Sequence, residues 1–488
     1  MVKRENRFQI FLIVLLVMSV FTACQKDNPV EDSEPQKVYS SLKECLDDAQ
    51  NVASIQPIQL AENPCGYTEM YEVQFTQPVN HFGSSETFSQ KAYVFYVGAD
   101  RPTVLYTCGY DLGDRFKQKP YVDIAYNMQA NLVVVEHRYF GDSKPQNDPR
   151  WVYLTMEQAA ADHHAIFTVL KKAMPRQWLS TGTSKDGMAS IFYRYFYPAD
   201  IDVTTAFCSP LMTSLASLEV GQYLQHNCGT PEERSQMTAL MKRFIKDGVN
   251  GIYRQANEKY KAKTGREVTF EEYVYDCFGY FFGQFSYTTP TQRKFPAIDC
   301  PAEVLIDSTL MTDLTSEEET AALYPYMIQT AKQLGQFVYD CDAYREELQE
   351  AGYDFSKMTE NVSQLKPEDV WLYDTYDNTN IHNIREVFLP YTTCPVLLVY
   401  SKDDPWTGAR PTDVHSPNVK VIINPDGIHN HDINATEHYS TQLRDEIMDF
   451  IYQYIPTTGT RTVTDDLPGR RYTPSRFQGR HSCYLISE

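Results

Sequence analysis

The chain has 488 residues, enough for a large core, and its 42% hydrophobic and 22% charged content is an ordinary globular balance. A net charge of −20 offers no basic surface to phosphates, so nucleic acid is not an expected partner. The 35 tyrosines suit an aromatic-lined groove or plain packing equally well.

Residues 1–24 read as a lipoprotein-type signal peptide. Lys3, Arg4 and Arg7 make a basic start, and Ile10 to Phe21 is an apolar run too short to span a bilayer. The run ends in Phe21-Thr22-Ala23-Cys24, similar to a bacterial lipoprotein cleavage site, which makes Cys24 the expected lipid attachment point. The alternative is a single amino-terminal anchor helix. The expectation is an exported protein, held by its lipid in the periplasm or at the cell surface of a Gram-negative bacterium. No second apolar run is long enough to cross a membrane. Residues 25–45, with Pro29 and Pro35, read as a polar linker.

Residues 46–210 read as the first part of an α/β core. Extended segments are expected at Tyr71 to Phe75, Lys91 to Val97 and Pro102 to Thr107. Leu132-Val133-Val134-Val135 is typical of a parallel strand buried on both faces. Thr155 to Lys172 reads as a helix that Thr155 can cap, with Gln158 as capping-box partner. Trp178 to Thr181 is extended, Gly182 to Gly187 is a tight corner, and Met188 to Phe196 is helical in spacing. Val203 to Phe207 is another strand. Strand alternating with helix points to a mostly parallel sheet.

Residues 211–385 change character. Glu232 to Lys246, Val249 to Lys263, Glu317 to Leu334 and Tyr344 to Ala351 carry helical spacing, and Tyr280 to Tyr287 is densely aromatic. This block is expected to be a helical cap inserted into the core; an independent domain is the alternative. The α/β pattern returns over residues 386–456, with strands at Cys394 to Tyr400 and Val419 to Ile423 and a closing helix from Thr436 to Tyr454. Residues 457–488 are expected to form a polar tail.

The corner places Ser184 between a strand and a helix, the setting of a nucleophile elbow. Gly182 gives the crowded turn room, and the backbone N–H of Lys185 is the expected first oxyanion donor. One feature departs from the usual pattern. The second position after the serine, normally small, is Asp186, and glycine follows at Gly187. The plainer reading of Ser184 is a helix cap in a loop. Asp404 and His429 follow the next two strands, so Ser184, Asp404 and His429 stand in the order of an α/β-hydrolase triad at the rim where such sheets bind ligands. Asp403 competes for the acid role, and Pro405-Trp406 favours Asp404 by fixing the turn after it. His431 competes for the base role, and Gly427 favours His429. Gly109-Tyr110, after an early strand, is placed to supply the second oxyanion donor. Glu136 and Arg138 form either an ion pair or, with Glu136, a site for a substrate amine; Asp276, Glu317, Glu318 and Glu319 are alternatives for that amine. No cysteines are paired at metal-site spacing, so neither a metal nor an organic cofactor is expected. The cysteines beyond Cys24 allow disulfides whose pairing the sequence leaves open.

These pieces resemble the tripeptidyl aminopeptidase family of secreted bacterial serine peptidases and, more distantly, the prolyl carboxypeptidase group. The matching stretches are Gln77 to His81, Pro102 to Thr107 with Gly109-Tyr110, Glu136 to Ser143, Gly182 to Met188, Tyr197-Pro198, Asp404 to Trp406 and Gly427 to His429. The resemblance implies an α/β-hydrolase with a helical cap that cleaves short peptides from a free amino terminus. It implies Ser184 as nucleophile, Asp404 as acid and His429 as base. Its pattern has glycine where this chain has Asp186. Peptides are therefore the expected substrates, tripeptides the expected product. An esterase or lipase on the same fold is one rival. A catalytically impaired peptide-binding lipoprotein, favoured by Asp186, is the other.

Overall fold

The computed structural model describes residues 37–456 except 61–62, 64, 84, 147, 149, 310–316, 356–364 and 431. The signal peptide with Cys24, the tail from residue 457, and His431 therefore lie outside the described residues. From Ser40 onward the described residues form one compact unit.

A nine-stranded sheet runs through this unit in the order β1-β2-β3-β5-β4-β6-β7-β10-β11. Its first strands are β1 (Val52–Pro57), β2 (Glu69–Pro78) and β3 (Thr87–Tyr96), which pair antiparallel and join β5 (Asn131–Val135) in the same sense. From β5 onward the sheet is parallel, through β4 (Thr103–Thr107), β6 (Trp178–Thr183), β7 (Val203–Phe207), β10 (Val396–Ser401) and β11 (Val419–Asn424). Every residue of β4, β5, β6, β7 and β10 is buried. This is why their sequences are continuous apolar and threonine runs rather than alternating ones.

Helices cover both faces. The first, α1 (Leu42–Asp48), starts inside the expected linker of residues 25–45 and runs into the expected core. Ser41 caps it, accepting from the Glu44 N–H, and Leu42, Cys45 and Leu46 bury its inner face. The linker thus ends before residue 42. Helix α2 (Asp123–Met128) precedes β5, and α3 (Met156–Leu170) begins where Thr155 accepts from the Gln158 N–H at 3.3 Å. Helix α4 (Lys185–Phe196) leaves the β6 corner.

Between β7 and β10 the chain is mainly helical. Helices α5 (Glu219–His226), α6 (Pro231–Ile245), α7 (Ile252–Thr264), α8 (Phe270–Tyr287) and α9 (Glu317–Gln329) stand there, with a small parallel pair, β8 (Ala216–Ser217) and β9 (Gln336–Phe337). Thr230 with Glu233, and Thr269 with Glu272, form full capping boxes on α6 and α8. The aromatic run read as a cluster is the buried stripe of α8. Tyr273, Phe278, Phe281 and Phe285 sit there with Leu240, Phe244 and Tyr344 in the insertion's own core. The closing helix α10 (Thr441–Tyr454) starts at a Ser440 cap, five residues later than expected. Cys108, Cys208, Cys228, Cys277, Cys300, Cys341 and Cys394 hold free thiols, so the room left for disulfides is not used among them.

Candidate active site

The corner after β6 is an elbow in its backbone angles. Ser184 has φ +57° and ψ −125°, a strained conformation for a non-glycine residue. Its N–H donates to the Phe207 carbonyl at the end of β7, 2.8 Å away, which pins the corner to the neighbouring strand. The two glycines are sterically required. A Cβ on Gly182 would lie 2.4 Å from the Asp186 carbonyl carbon, and one on Gly187 would lie 2.0 Å from Ser209 Oγ.

Asp186 fits because its side chain leaves the crowded corner and reaches toward β4. One carboxylate oxygen accepts from the Tyr106 hydroxyl at 2.6 Å and the other from the Gly109 N–H at 2.6 Å. Burial raises its pKa, and the Tyr106 and Gly109 donors pull the other way. The departure from the small-residue pattern is thus a tie between the elbow and the loop after β4. It also removes Gly109 from the expected oxyanion donors, since that N–H is directed at Asp186. Tyr110, the next residue, is left as the candidate second donor.

Lys185 follows Ser184 with its side chain buried. Its ammonium donates to the Gly109 carbonyl and lies over the rings of Phe140 at 4.1 Å and Tyr110 at 4.8 Å, with Tyr326 of α9 at 5.7 Å. Its backbone N–H stands at the first position of α4, where the helix dipole favours negative charge.

Asp404 sits in the turn after β10, fully buried, and accepts through Oδ2 from His429 Nδ1 at 2.7 Å. His429 comes from the loop after β11. Gly427 lets that loop close, because a Cβ there would meet Ser401 Oγ at 2.5 Å. Asp403 turns the other way, into an ion pair with Arg293 at 2.8 Å, and accepts from the Gly229 N–H at 3.0 Å. The adjacent acids therefore divide between the histidine and the insertion.

Glu136 is a correction. It is fully buried; Oε1 accepts from the Leu112 N–H at 3.0 Å, and Oε2 from the Asp142 N–H, the Ser143 N–H and the Ser143 hydroxyl at 2.7–3.0 Å. Lys91 lies 3.1 Å from it. The carboxylate organises the loop after β5 and is not presented to a substrate amine. The alternative pairing with Arg138 does not form either: Arg138 binds Asp162 at 2.7 and 2.8 Å. Of the other acids considered, Asp276 is half-buried on α8, and the side chains of Glu317, Glu318 and Glu319 lie outside the described residues.

Two neighbours, Cys208 and Ser286, went unread in the sequence, and Trp406 was read only for the turn after Asp404. Cys208, directly after β7, brings its sulfur within 4.8 Å of ligand-type atoms on Asp404 and His429. Its strand-end position was the available signal. Burial raises its thiol pKa, opposed by its hydrogen bond with His429. Ser286 donates to Asp404 Oδ1 at 3.1 Å, from the end of an aromatic run that reads as packing. Trp406 lines a small cavity of about 20 Å³ with Met212, Tyr326, Met327, Thr330, Gln336 and Phe337. Its indole N–H is buried with no partner among the described residues.

A serine on a strand-to-helix elbow, with a buried His–Asp pair arriving from later strands of the same parallel rim, belongs to the α/β-hydrolase fold and to its serine hydrolases. Residues 43–448 match the PS-10 peptidase S37 family, and the chain belongs to that family of serine peptidases. It is similar to the prolyl tri/tetrapeptidyl aminopeptidase of Streptomyces mobaraensis, 25% identical over 352 residues that cover 68% of this chain and 69% of the relative. It is also similar to human lysosomal Pro-X carboxypeptidase, 28% identical over 180 residues covering 32% and 34% of the two chains. Among solved structures, a proline iminopeptidase from Mycobacterium smegmatis aligns over 78% of this chain and 98% of its own, at 13% identity and a TM-score of 0.38.

Proposed function

We propose that the chain is an exported serine aminopeptidase that releases short peptides, tripeptides foremost, from free amino termini through an acyl-enzyme on Ser184. The observation that carries the reading is the buried 2.7 Å contact between His429 Nδ1 and Asp404 on the rim that also bears the Ser184 elbow. In this reading His429 Nε2 takes the Ser184 hydroxyl proton as Oγ attacks the scissile carbonyl. Asp404 holds the other ring nitrogen and stabilises the imidazolium. The N–H groups of Lys185 and Tyr110 receive the oxyanion. His429 returns the proton to the leaving amine, and water then releases the acyl group by the same steps in reverse.

The similarity to the Streptomyces aminopeptidase supports the amino-terminal mode, and the apolar run before Cys24 supports export with a lipid anchor. Among the described residues no helix is long and apolar enough to cross a membrane. Asp186, the feature that favoured an impaired binder, leaves the elbow angles intact. The test is a fluorogenic peptide panel with free and acetylated amino termini. Free peptides should be cleaved with kcat/KM about a hundredfold higher, about 2.7 kcal/mol at the transition state, and Ser184→Ala should abolish cleavage. Equal cleavage of blocked and free peptides overturns the aminopeptidase reading; faster turnover of esters than of any peptide favours the esterase.

A further inference from the structure

We propose that Ser286, at the end of α8 in the helical insertion, is a positioning residue that seats both the acid and the base of the site. This rests on the assignment of Ser184, Asp404 and His429 above. Asp404 is fully buried, so both carboxylate oxygens need donors within the protein. Oδ2 is taken by His429. Oδ1 has the Ser286 hydroxyl at 3.1 Å and the Trp406 N–H at 3.4 Å. The second contact is long, and the hydroxyl is the nearer donor. The same residue reaches the base. The His429 backbone N–H donates to the Ser286 carbonyl at 2.7 Å. One serine thus orients the carboxylate plane with its side chain and anchors the histidine loop with its main chain.

Ser286 is itself held in place. It is fully buried, and Arg293 donates to the Gln284 and Thr288 carbonyls on either side of it, each at 3.4 Å. The same guanidinium pairs with Asp403, the residue before the acid, at 2.8 Å. The Tyr287 ring stands edge-on to the His429 ring at 5.8 Å. The end of α8 is therefore clamped against the acid turn and the base loop together. The insertion completes the acid–base pair as well as covering it, and an insertion lifted from the core would leave Asp404 free to rotate away from Nδ1.

The experiment uses the full chain with Ser286→Ala, Ser286→Thr and a control, Tyr253→Phe. The control removes a hydroxyl bond of 2.7 Å to the Val268 carbonyl elsewhere in the insertion. Ser286→Ala should lower kcat 10- to 100-fold with KM within twofold. It should slow labelling of Ser184 by a small fluorophosphonate by the same factor, because that probe needs the acid–base pair but no peptide subsite. Ser286→Thr, which keeps the hydroxyl, should return both rates to within threefold of the parent, and Tyr253→Phe should leave both unchanged. Parental kcat and labelling in Ser286→Ala, a change in KM alone, or an equal loss in Tyr253→Phe overturns the proposal. Should the alanine variant be recovered only unfolded, Ser286→Cys keeps the volume with a weaker donor, and parental rates in it are equally decisive. Continued labelling and cleavage by Ser184→Ala would instead overturn the assignment on which the proposal rests.

Discussion

The sheet rim and the helical insertion contribute to the site in different ways. On the rim, each candidate site residue follows a strand within a few positions: Tyr110 after β4, Ser184 after β6, Asp404 after β10 and His429 after β11, with Cys208 after β7 beside the last two. The parallel register carries these loops to one edge whatever the intervening sequence does. The insertion has no such rule. Ser286 and Arg293 reach the site from the end of the capped α8 and the loop after it, beside Phe285, and Tyr326 reaches it from α9 by packing on Tyr110. Topology assigns the chemistry, and packing assigns its orientation and access.

The sharpest way to break this comparison is the adjacent acid pair, one residue for each region. Asp404→Asn should cut kcat roughly 10^4-fold while the fold survives, because the amide no longer holds the histidine in the right tautomer. Asp403→Asn should act on stability instead. It weakens the ion pair that docks Arg293, and breaking a buried pair costs roughly 3–5 kcal/mol. The low end applies, since Arg293 keeps Glu233 at 3.0 Å. Steady-state kinetics and thermal melts on both variants read the two effects. Catalytic loss of similar size in both would erase the division between rim and insertion.

Much of the rim was legible because buried parallel strands write themselves as short apolar runs. Leu132 to Val135 and Val396 to Tyr400 announce strands without any partner in view, and the loop after each is then a site candidate. Asp186 was legible only as an exception, since its meaning depends on Tyr106, 80 residues earlier, and on the Gly109 N–H. Glu136 was misread for a related reason. A charged residue at a strand end looks like rim chemistry, and only the three-dimensional loop shows the Asp142 and Ser143 N–H groups converging on it. Helix α1 was missed because Ser41 to Asp48 is polar in composition, and only Leu42, Cys45 and Leu46 mark its buried face. Within the insertion, helical spacing exposed the helices but not which end of which helix meets the acid, because contacts between distant segments leave no period in the sequence.

Glu136→Gln sharpens the comparison from the rim side. If this carboxylate only builds the β5 loop, the variant loses the ionic contact to Lys91 and presents an amide to donors that need an acceptor. The expected cost is about 3 kcal/mol, from charged hydrogen bonds of 1.5–3 kcal/mol each partly replaced. The ratio of kcat/KM between free and acetylated peptides should stay unchanged. A ratio that collapses, with stability intact, would restore Glu136 to the substrate.

The smallest expected effect tests whether the middle of α3, packed on α4, behaves as plain core. His163 on α3 is buried, with its ring edge-on to Tyr193 at 5.5 Å. Burial lowers its pKa to about 4, partly offset by Asp162, with Arg138 adding to the fall. The folded state therefore resists protonation while the unfolded chain takes a proton near the ordinary value of about 6.5. Above that pH neither state is protonated, and the residue contributes no pH dependence. As pH falls from about 6.5 toward 4, only the unfolded state gains the proton, and stability drops. Between pH 7.5 and pH 5 the loss from this one residue is about 2 kcal/mol. His163→Phe should remove that part of the acid sensitivity, so denaturant melts of variant and parent should draw together at pH 7.5 and apart at pH 5, the variant being relatively more stable in acid. Because the residue lies behind the rim, the pH dependence of kcat should not move; a shift in it would mean that α3 is coupled to the acid–base pair as α8 is.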